Sequence, residues 1–280
     1  MEAGQMEAGE PAEKTEAVIE VTDLRRSFGS FAAVKGVSFS VGAGEVFGLL
    51  GPNGAGKTTI VKMLTTLLRP DGGEAKICGY DVRTQAARVR QCIGYVPQAL
   101  SVDGSLTGYE NLLIFAKILG LKGSERERRI RELLAFMDLA EAAPRLVRHY
   151  SGGMVRRLEI AQAMLGEPRV LFLDEPTVGL DPVARKGVWE RLLDLRKRYQ
   201  MAILLTTHYM EEADAVCRRV GILDRGKMVV AGTPAELKES IGDPAASLDE
   251  VFAHYTGNQL TTGGNYNELK QVRRLSRRLG

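Results

Sequence analysis

The sequence predicts an α/β fold with a parallel-sheet core and a helical subdomain inserted into it. Short, wholly apolar runs such as Val46–Leu50 are typical of strands that are buried on both faces of a parallel sheet. These runs alternate with segments of helical periodicity over much of the chain. Between residues 105 and 165 only helical periodicity is found, and this stretch is the predicted insertion.

The composition fits a globular protein and argues against a nucleic-acid partner. The 280 residues are 44% hydrophobic, an ordinary value for a chain with a well-formed core. Subtracting 35 acidic from 38 basic residues gives a formal net charge of +3, which is too small to indicate binding to nucleic acid.

The apolar runs and the cysteines indicate a cytoplasmic chain without a membrane span. No run approaches the roughly 20 apolar residues that cross a bilayer, and the N-terminus lacks the pattern of a secretory signal. Cys78, Cys92 and Cys217 have neither metal-site nor disulfide spacing, so we expect reduced, buried or half-buried thiols. Any membrane role would then come through a partner.

One folded domain is expected over residues 17–257, with a tail at each end. Residues 1–16 are polar and Glu-rich, a composition typical of disorder. Residues 258–280 are interpreted as a linker and a basic segment with one apolar helical face, formed by Leu269, Val272, Leu275 and Leu279. Such a helix can rest on an anionic membrane surface, but its short length favours a solvated tail.

The first part of the folded chain alternates strands with one helix. Residues 37–41 alternate apolar with small or polar side chains, as in a strand with one exposed face. The run Val46–Leu50 leads into a glycine-rich loop, and a helix is expected from Lys57 to about Leu68. Further strands are expected at residues 18–21, 75–77 and 93–96.

Three helices are predicted in the inserted subdomain, which spans about residues 99–165. Ser124 followed by Glu127 fits a capping box at the start of the second helix, and the third is expected to begin after Ser151. Their predicted apolar faces are, in order, Leu112, Phe115, Ala116 and Leu119; Ile130, Leu133, Leu134 and Met137; and Leu158, Ala161 and Leu165.

The alternation of strands and helices returns after the insertion. A hairpin turn is expected at residues 224–226, and Thr233 with Pro234 fits a capped helix start. Buried strands are predicted at 170–173, 202–205 and 220–223, and helices near 182–198 and 211–218.

The glycine-rich loop fits the phosphate-binding pattern G-x-x-x-x-G-K-[ST], between a buried strand and a helix. Its glycines let backbone N–H groups point at phosphate oxygens, and the helix N-terminus adds its dipole. Lys57 would place a charge between the β- and γ-phosphates of a nucleotide, and Thr58 would offer a hydroxyl to Mg²⁺. The candidate ATP-binding residues here are Gly51, Pro52, Asn53, Gly54, Ala55, Gly56, Lys57, Thr58 and Thr59.

A second motif follows the insertion, where the buried run 170–173 ends in Asp174 and Glu175. Ligands bind at the carboxyl ends of strands in open α/β sheets, so both carboxylates should face the phosphates. We expect Asp174 to hold the Mg²⁺ shell and Glu175 to act as the general base on the attacking water.

Ser151, Gly152 and Gly153 open a helix between these two motifs. Alone they would be an ordinary N-cap followed by flexible glycines. The order of phosphate loop, Tyr-Ser-Gly-Gly-Met and acidic strand end resembles the ATP-binding cassette (ABC) family over about residues 18–257. Met154, where the family most often has Gln, is similar to the drug-resistance (daunorubicin-type) exporter branch.

The resemblance implies a P-loop ABC ATPase core with an N-terminal antiparallel β subdomain, and it implies roles for single residues. Gln98 would link Mg²⁺ and the attacking water to the helical subdomain, and His208 would contact the γ-phosphate. Phe28, at a position that is usually Tyr, would stack on adenine, while Asp181 lies in the loop that crosses the dimer interface. The segment Ser151, Gly152 and Gly153 would bind the ATP held by the other copy.

The resemblance also implies the partners. Two copies of the chain would close head to tail around two ATP molecules with Mg²⁺. They would sit peripherally on the cytoplasmic face of the cell membrane and power a separate integral membrane permease, docked around residues 98–111, that exports a drug-like or lipid substrate.

Two alternatives have different sequence signatures. A soluble ABC ATPase acting on DNA ends or ribosomes would carry long coiled-coil insertions or a second cassette, and this sequence has neither. A catalytically weak regulatory cassette would lack Glu175 or part of the Ser-Gly-Gly element, and both are intact.

Overall fold

The computed structural model describes residues 16–257. The predicted acidic stretch up to Thr15 and the basic segment with Leu269 lie outside these residues. The strands are β1 Ala17–Phe28, β2 Phe31–Gly42, β3 Val46–Leu50, β4 Gly72–Ile77, β5 Tyr80–Asp81, β6 Ile93–Val96, β7 Val170–Asp174, β8 Ala202–Thr207, β9 Arg219–Asp224 and β10 Lys227–Gly232. The helices are α1 Lys57–Leu64, α2 Ala86–Cys92, α3 Gly108–Ile118, α4 Gly123–Phe136, α5 Gly152–Met164, α6 Pro182–Tyr199, α7 Met210–Val216, α8 Pro234–Ser240 and α9 Leu248–Thr256.

The strands form two sheets, which confirms the predicted α/β class. A four-stranded antiparallel sheet has the order β2-β1-β4-β5 and comes from the N-terminal part of the chain. A six-stranded sheet has the order β10-β9-β3-β8-β7-β6, and its strands are parallel up to the terminal β9–β10 hairpin. Arg225 and Gly226 both have positive φ in that hairpin, as a tight two-residue turn requires.

The six-stranded sheet brings the predicted site residues to one edge. Leu50 pairs with Thr207, and Asp174 pairs with Thr206, so β3, β7 and β8 end side by side. The glycine-rich loop, Glu175 and His208 directly follow these ends, and Asp174 is the last residue of β7. The parallel register therefore gathers residues from three distant parts of the sequence.

Helices α3, α4 and α5 pack together through apolar faces. The predicted faces of α4 and α5 are buried, but that of α3 is only half right, since Phe115 and Leu119 are 37% and 47% exposed. The buried face of α3 is centred on Leu112 and Ala116 instead. The helix has apolar side chains on most of its faces, so periodicity alone could not identify the face that is buried.

Two helix ends differ from the prediction. α1 ends at Leu64 and not near Leu68, because Thr66 adopts a left-handed conformation with φ 64°. α4 begins at Gly123 with Lys122 as its N-cap, so the predicted Ser124–Glu127 capping box is wrong. The Glu127 carboxylate instead accepts a hydrogen bond from the hydroxyl of Tyr109 in α3, at 2.8 Å.

Two further features of the described residues concern membrane-spanning helices and cysteines. Within residues 16–257 no helix combines the length and hydrophobicity that crossing a bilayer needs. Cys78 and Cys92 are half-buried free thiols and Cys217 is buried. Burial raises the pKa of the Cys78 thiol to about 11, so it stays protonated and weakly nucleophilic at neutral pH.

Candidate functional site

The phosphate-binding loop lies against the end of β9. Gly51 has φ 148°, and a side chain there would collide with the carbonyl oxygen of Leu223. A residue with a Cβ therefore cannot replace Gly51 without moving the loop. The loop then turns directly into α1, whose first amides have no partner inside the helix and point toward the loop.

Lys57, the first residue of α1, folds its side chain back over this loop. Its Nζ donates to the carbonyl oxygens of Gly51 at 2.7 Å and Pro52 at 3.3 Å. It also lies 3.2 Å from Oε1 of Glu175, and the lysine is only 5% exposed. The ammonium charge is thus held by the carbonyl oxygens of the loop and by the carboxylate of Glu175.

Thr58, Asp174 and Thr206 form an oxygen cluster beside the loop. Thr58 Oγ1 and Thr206 Oγ1 both donate to Asp174 Oδ1, at 3.0 and 2.6 Å. Asp174 is 1% exposed. Burial and, after it, the Asp174 charge raise the pKa of the neighbouring Tyr95 to about 12. A carboxylate and hydroxyls next to a phosphate-binding loop are the hard oxygen donors that Mg²⁺ prefers, so the residues present fit that ion.

Glu175 connects the lysine to the histidine. Its Oε2 lies 2.9 Å from His208 Nδ1, within hydrogen-bond distance. Its backbone has φ 51°, an unusual conformation for a non-glycine residue, and its amide donates to the carbonyl and hydroxyl oxygens of Thr206. This turn aims the carboxylate toward both Lys57 and His208.

The Ser-Gly-Gly element lies apart from this cluster. Ser151 is the exposed N-cap of α5 and accepts the amide of Met154 at 3.3 Å. A side chain at Gly153 would stand 2.9 Å from the Cβ of Ala184 in the first turn of α6, so the glycine allows close packing. Among residues 16–257, no hydrogen bond or ion pair joins this segment to the phosphate-binding loop.

Three other predicted residues also lie outside the cluster. Gln98 follows β6 and is exposed, without a hydrogen bond to any described residue. Asp181 is the N-cap of α6 and accepts the amides of Val183 and Ala184. Phe28 ends β1, is 49% exposed, and has the guanidinium of Arg26 5.0 Å from its ring centroid.

The sequence reasoning missed Thr206, which orients Asp174 through its hydroxyl and binds the Glu175 amide. The signal was present, since two threonines end the otherwise apolar run of β8. It also missed the buried Glu212, whose carboxylate contacts Thr177 and Arg185. A single acidic residue in a helix gives no local signal of such a contact.

Comparison with known proteins gives consistent matches. Residues 34–178 match the family described as ABC transporter. The chain is 47% identical over 225 residues, covering 80% of it and 68% of the relative, to a doxorubicin resistance ATP-binding protein of Mycobacterium tuberculosis (strain CDC 1551 / Oshkosh). It is 44% identical over 252 residues, 86% of this chain and 83% of the other, to the Nod factor export ATP-binding protein I of Burkholderia lata.

Solved structures agree with these sequence matches. A structure of an ATP binding subunit of an ABC transporter has a TM-score of 0.76 at 33% identity, and the match covers 85% of this chain and 99% of that one. CbiO1 from Clostridium perfringens, described as part of the ABC transporter complex cbiONQ, has a TM-score of 0.74 at 26% identity and covers 81% and 91%.

Proposed function

We propose that this chain, which belongs to the ABC transporter family, hydrolyses ATP at two sites that form between two copies of itself. As an ATP-binding subunit it couples ATP hydrolysis to transport through a separate membrane permease. One observation carries the proposal: Lys57, Glu175 and His208 form a single contact cluster, whereas Ser151 is exposed away from it.

Nucleotide binding would use the loop and the start of α1. The unpartnered amides there, together with the helix dipole, make an anion site for the β- and γ-phosphates. Lys57 would exchange the carbonyl oxygens that it contacts now for phosphate oxygens. Thr58, Asp174 and Gln98 would hold Mg²⁺, which neutralises phosphate charge when bound.

Glu175 would catalyse hydrolysis as the general base. Its carboxylate orients a water molecule for in-line attack on the γ-phosphorus and takes the proton as the new P–O bond forms. The bond from the γ-phosphorus to the leaving ADP oxygen then breaks, which gives ADP and phosphate. Lys57 and His208 stabilise the negative charge of the transferred group, and both already contact Glu175.

The second copy would complete each site. Its Ser151 hydroxyl and the first amides of its α5 form an anion site that suits a γ-phosphate. The close packing of Gly153 on α6 leaves Ser151 exposed for this contact. Asp181 keeps the start of α6 in place and would lie at the interface between the copies.

Phe28 would bind the adenine ring. Arg26 covers one side of the phenyl ring and is itself paired with Asp71, which leaves the half-exposed ring free for stacking on its other side. A phenyl ring stacks as a tyrosine ring does, because the hydroxyl group does not take part in the stacking.

The permease would dock around residues 98–111, and both this segment and α3 have exposed apolar side chains. Leu100 and Ile118 are each 73% exposed, and Ile114 is 46% exposed. Docking there places the chain at the cytoplasmic face of a membrane. Relatives named for doxorubicin resistance and Nod factor export support export as the direction, with a drug-like or lipid substrate as the class that the family resemblance implies.

The test is Glu175→Gln, which keeps the size and shape of the side chain but removes its charge and the base. Turnover should fall by roughly 10²–10⁴-fold, the usual contribution of a positioned base, while ATP binding and ATP-dependent dimerisation persist. Turnover is measured by phosphate release, and dimerisation by light scattering with and without Mg-ATP.

A matched control is Glu190→Gln on the exposed face of α6, which should leave turnover unchanged. Near-wild-type turnover of Glu175→Gln would show that the base is another residue. Normal ATP binding with no turnover in the wild-type chain would favour a regulatory cassette instead.

A further inference from the structure

A buried carboxylate in α7 contacts two other segments near the site. Glu212 is 8% exposed, and its Oε2 accepts a hydrogen bond from the hydroxyl of Thr177 at 2.6 Å. Its Oε1 lies 3.0 Å from Nε of Arg185. Oε2 therefore accepts a hydrogen bond from the segment after Glu175, whereas Oε1 is paired by charge with the first turns of α6 and makes no hydrogen bond to a described residue.

Arg185 extends this contact toward the histidine. Its guanidinium lies 4.5 Å from the ring centroid of Tyr209, and the rings of Tyr209 and His208 are 4.2 Å apart. His208 Nδ1 then meets Glu175 Oε2 at 2.9 Å. A closed ring of contacts results, because Thr177 stands only two residues after Glu175.

The same turn of α6 receives the Ser-Gly-Gly element. Arg185 directly follows Ala184, against which Gly153 packs, and Asp181 caps the helix one turn earlier. Glu212 thus lies between the histidine and a part of α6 that would face the second copy. Removing the charge of Glu212 would leave Arg185 without its buried counter-charge, so the position of Arg185 should change.

We infer that Glu212 is a positioning residue, which holds Arg185 against Tyr209 and thereby fixes the His208 ring toward the transferred phosphate. The inference rests on the proposed role of His208 in hydrolysis. A purely structural ion pair would affect turnover whether or not His208 is present. The effect of Glu212 on turnover should instead depend on His208.

The experiment is a double-mutant cycle with Glu212→Gln and His208→Ala, measured as kcat and KM for ATP. Glu212→Gln can still accept the Thr177 hydroxyl but loses the charge that holds Arg185. We expect kcat to fall by about tenfold with KM changed by less than about twofold. In the His208→Ala background the further loss should be less than about twofold, since residues that act as a unit are not additive. Glu211→Gln, on the exposed side of α7, is the matched control and should change neither value.

Three results separate the possibilities. A wild-type kcat for Glu212→Gln, or an equal loss in both backgrounds, would overturn this inference alone. A wild-type kcat for His208→Ala would overturn the proposed role of His208 and the inference with it. Should Glu212→Gln fail to fold, Thr177→Val removes only the 2.6 Å hydrogen bond and is taken through the same cycle with the same expectations.

Discussion

At the level of single residues, the site depends on contacts between groups that would otherwise be costly to bury. Glu175 is 4% exposed and stands between a lysine and a histidine, so its charge is balanced without solvent. Its φ of 51° costs on the order of 1–3 kcal/mol, and the two contacts of its amide with Thr206 offset part of that strain. Thr206, which holds the backbone of Glu175 in this conformation, is therefore part of the site as well.

Thr206 should be important for stability as well as for the site. Thr206→Val keeps the shape of the side chain but removes the donor to Asp174 and the acceptor for the Glu175 amide. The Glu175 amide keeps the backbone carbonyl oxygen of Thr206, and Asp174 keeps the hydroxyl of Thr58, so the cost is that of two lost hydrogen bonds. We expect the free energy of unfolding to drop by about 0.5–1.5 kcal/mol for the bond to the amide and by about 1.5–3 kcal/mol for the bond to the carboxylate. Urea denaturation followed by circular dichroism measures the change.

Thr206→Ser is the matched control, because it retains the hydroxyl and loses one methyl group. Its free energy of unfolding should drop by about 1 kcal/mol, the contribution of one buried methyl group. Equal losses for the valine and serine variants would mean that packing, and not the hydrogen bonds, decides the effect at this position.

At the level of elements, α5 holds the loop that carries Gln98. Arg156 donates to the carbonyl oxygen of Pro97 at 3.0 Å, and Glu159 accepts the amide and hydroxyl of Ser101 at 2.6 and 2.9 Å. Arg156 and Glu159 are themselves paired at 3.0 Å and buried. Gln98 thus lies between Pro97 and Ser101, and both of these loop residues are held by the helix that begins after Ser151.

Glu159→Gln should loosen this loop. The variant weakens the hold on Ser101 and leaves Arg156 without its buried counter-charge, so local opening should become easier. We expect amide hydrogen exchange of the peptide that contains Ser101 to become about tenfold faster at constant pH, measured by mass spectrometry.

Glu190→Gln, far from the loop and exposed, should leave the exchange of that peptide unchanged. Unchanged exchange in Glu159→Gln would mean that backbone contacts alone fix the loop. Faster exchange over the whole chain would instead indicate a general loss of stability.

The local pattern was sufficient for some elements and insufficient for others. The runs of β3 and β7 are wholly apolar and bounded by glycine or carboxylates, so their positions and the edge at which they end could be predicted. The end of α1 depends on the left-handed Thr66, and the start of α4 on the path of the chain from α3, neither of which sequence spacing encodes. Contacts such as Thr206 with Asp174 join residues 32 positions apart and follow only from strand order.

At the level of the whole molecule, no hydrogen bond or ion pair among residues 16–257 joins the two candidate halves of the site within one copy. Gly153 packs on α6, whereas Lys57 packs on Glu175, and no described hydrogen bond links the two groups. Two copies arranged head to tail by a twofold axis would bring the loop of each copy to the Ser151 of the other. Each copy would then contribute a loop to one site and a serine to the other.

This arrangement predicts complementation between two inactive variants. Lys57→Ala destroys the loop half of a site, and Ser151→Asp opposes the γ-phosphate with a negative charge while still capping α5. Each variant alone should show little phosphate release. Mixed one to one before ATP is added, roughly half of the dimers pair the two variants and hold one intact site, so about a quarter of wild-type turnover should return.

The control mixture pairs Lys57→Ala with His208→Ala, whose defects lie in the same half of the site. Every site in any dimer of that mixture contains one defect, so no turnover should return. No gain in the Lys57→Ala and Ser151→Asp mixture, when differently tagged copies co-purify as mixed dimers, would mean that each site is built within one copy. A gain in the control would instead mean that Lys57 and His208 of one copy act in different sites. Because the two mixtures differ only in which half carries the second defect, their difference measures the contribution of the partner's Ser151 directly.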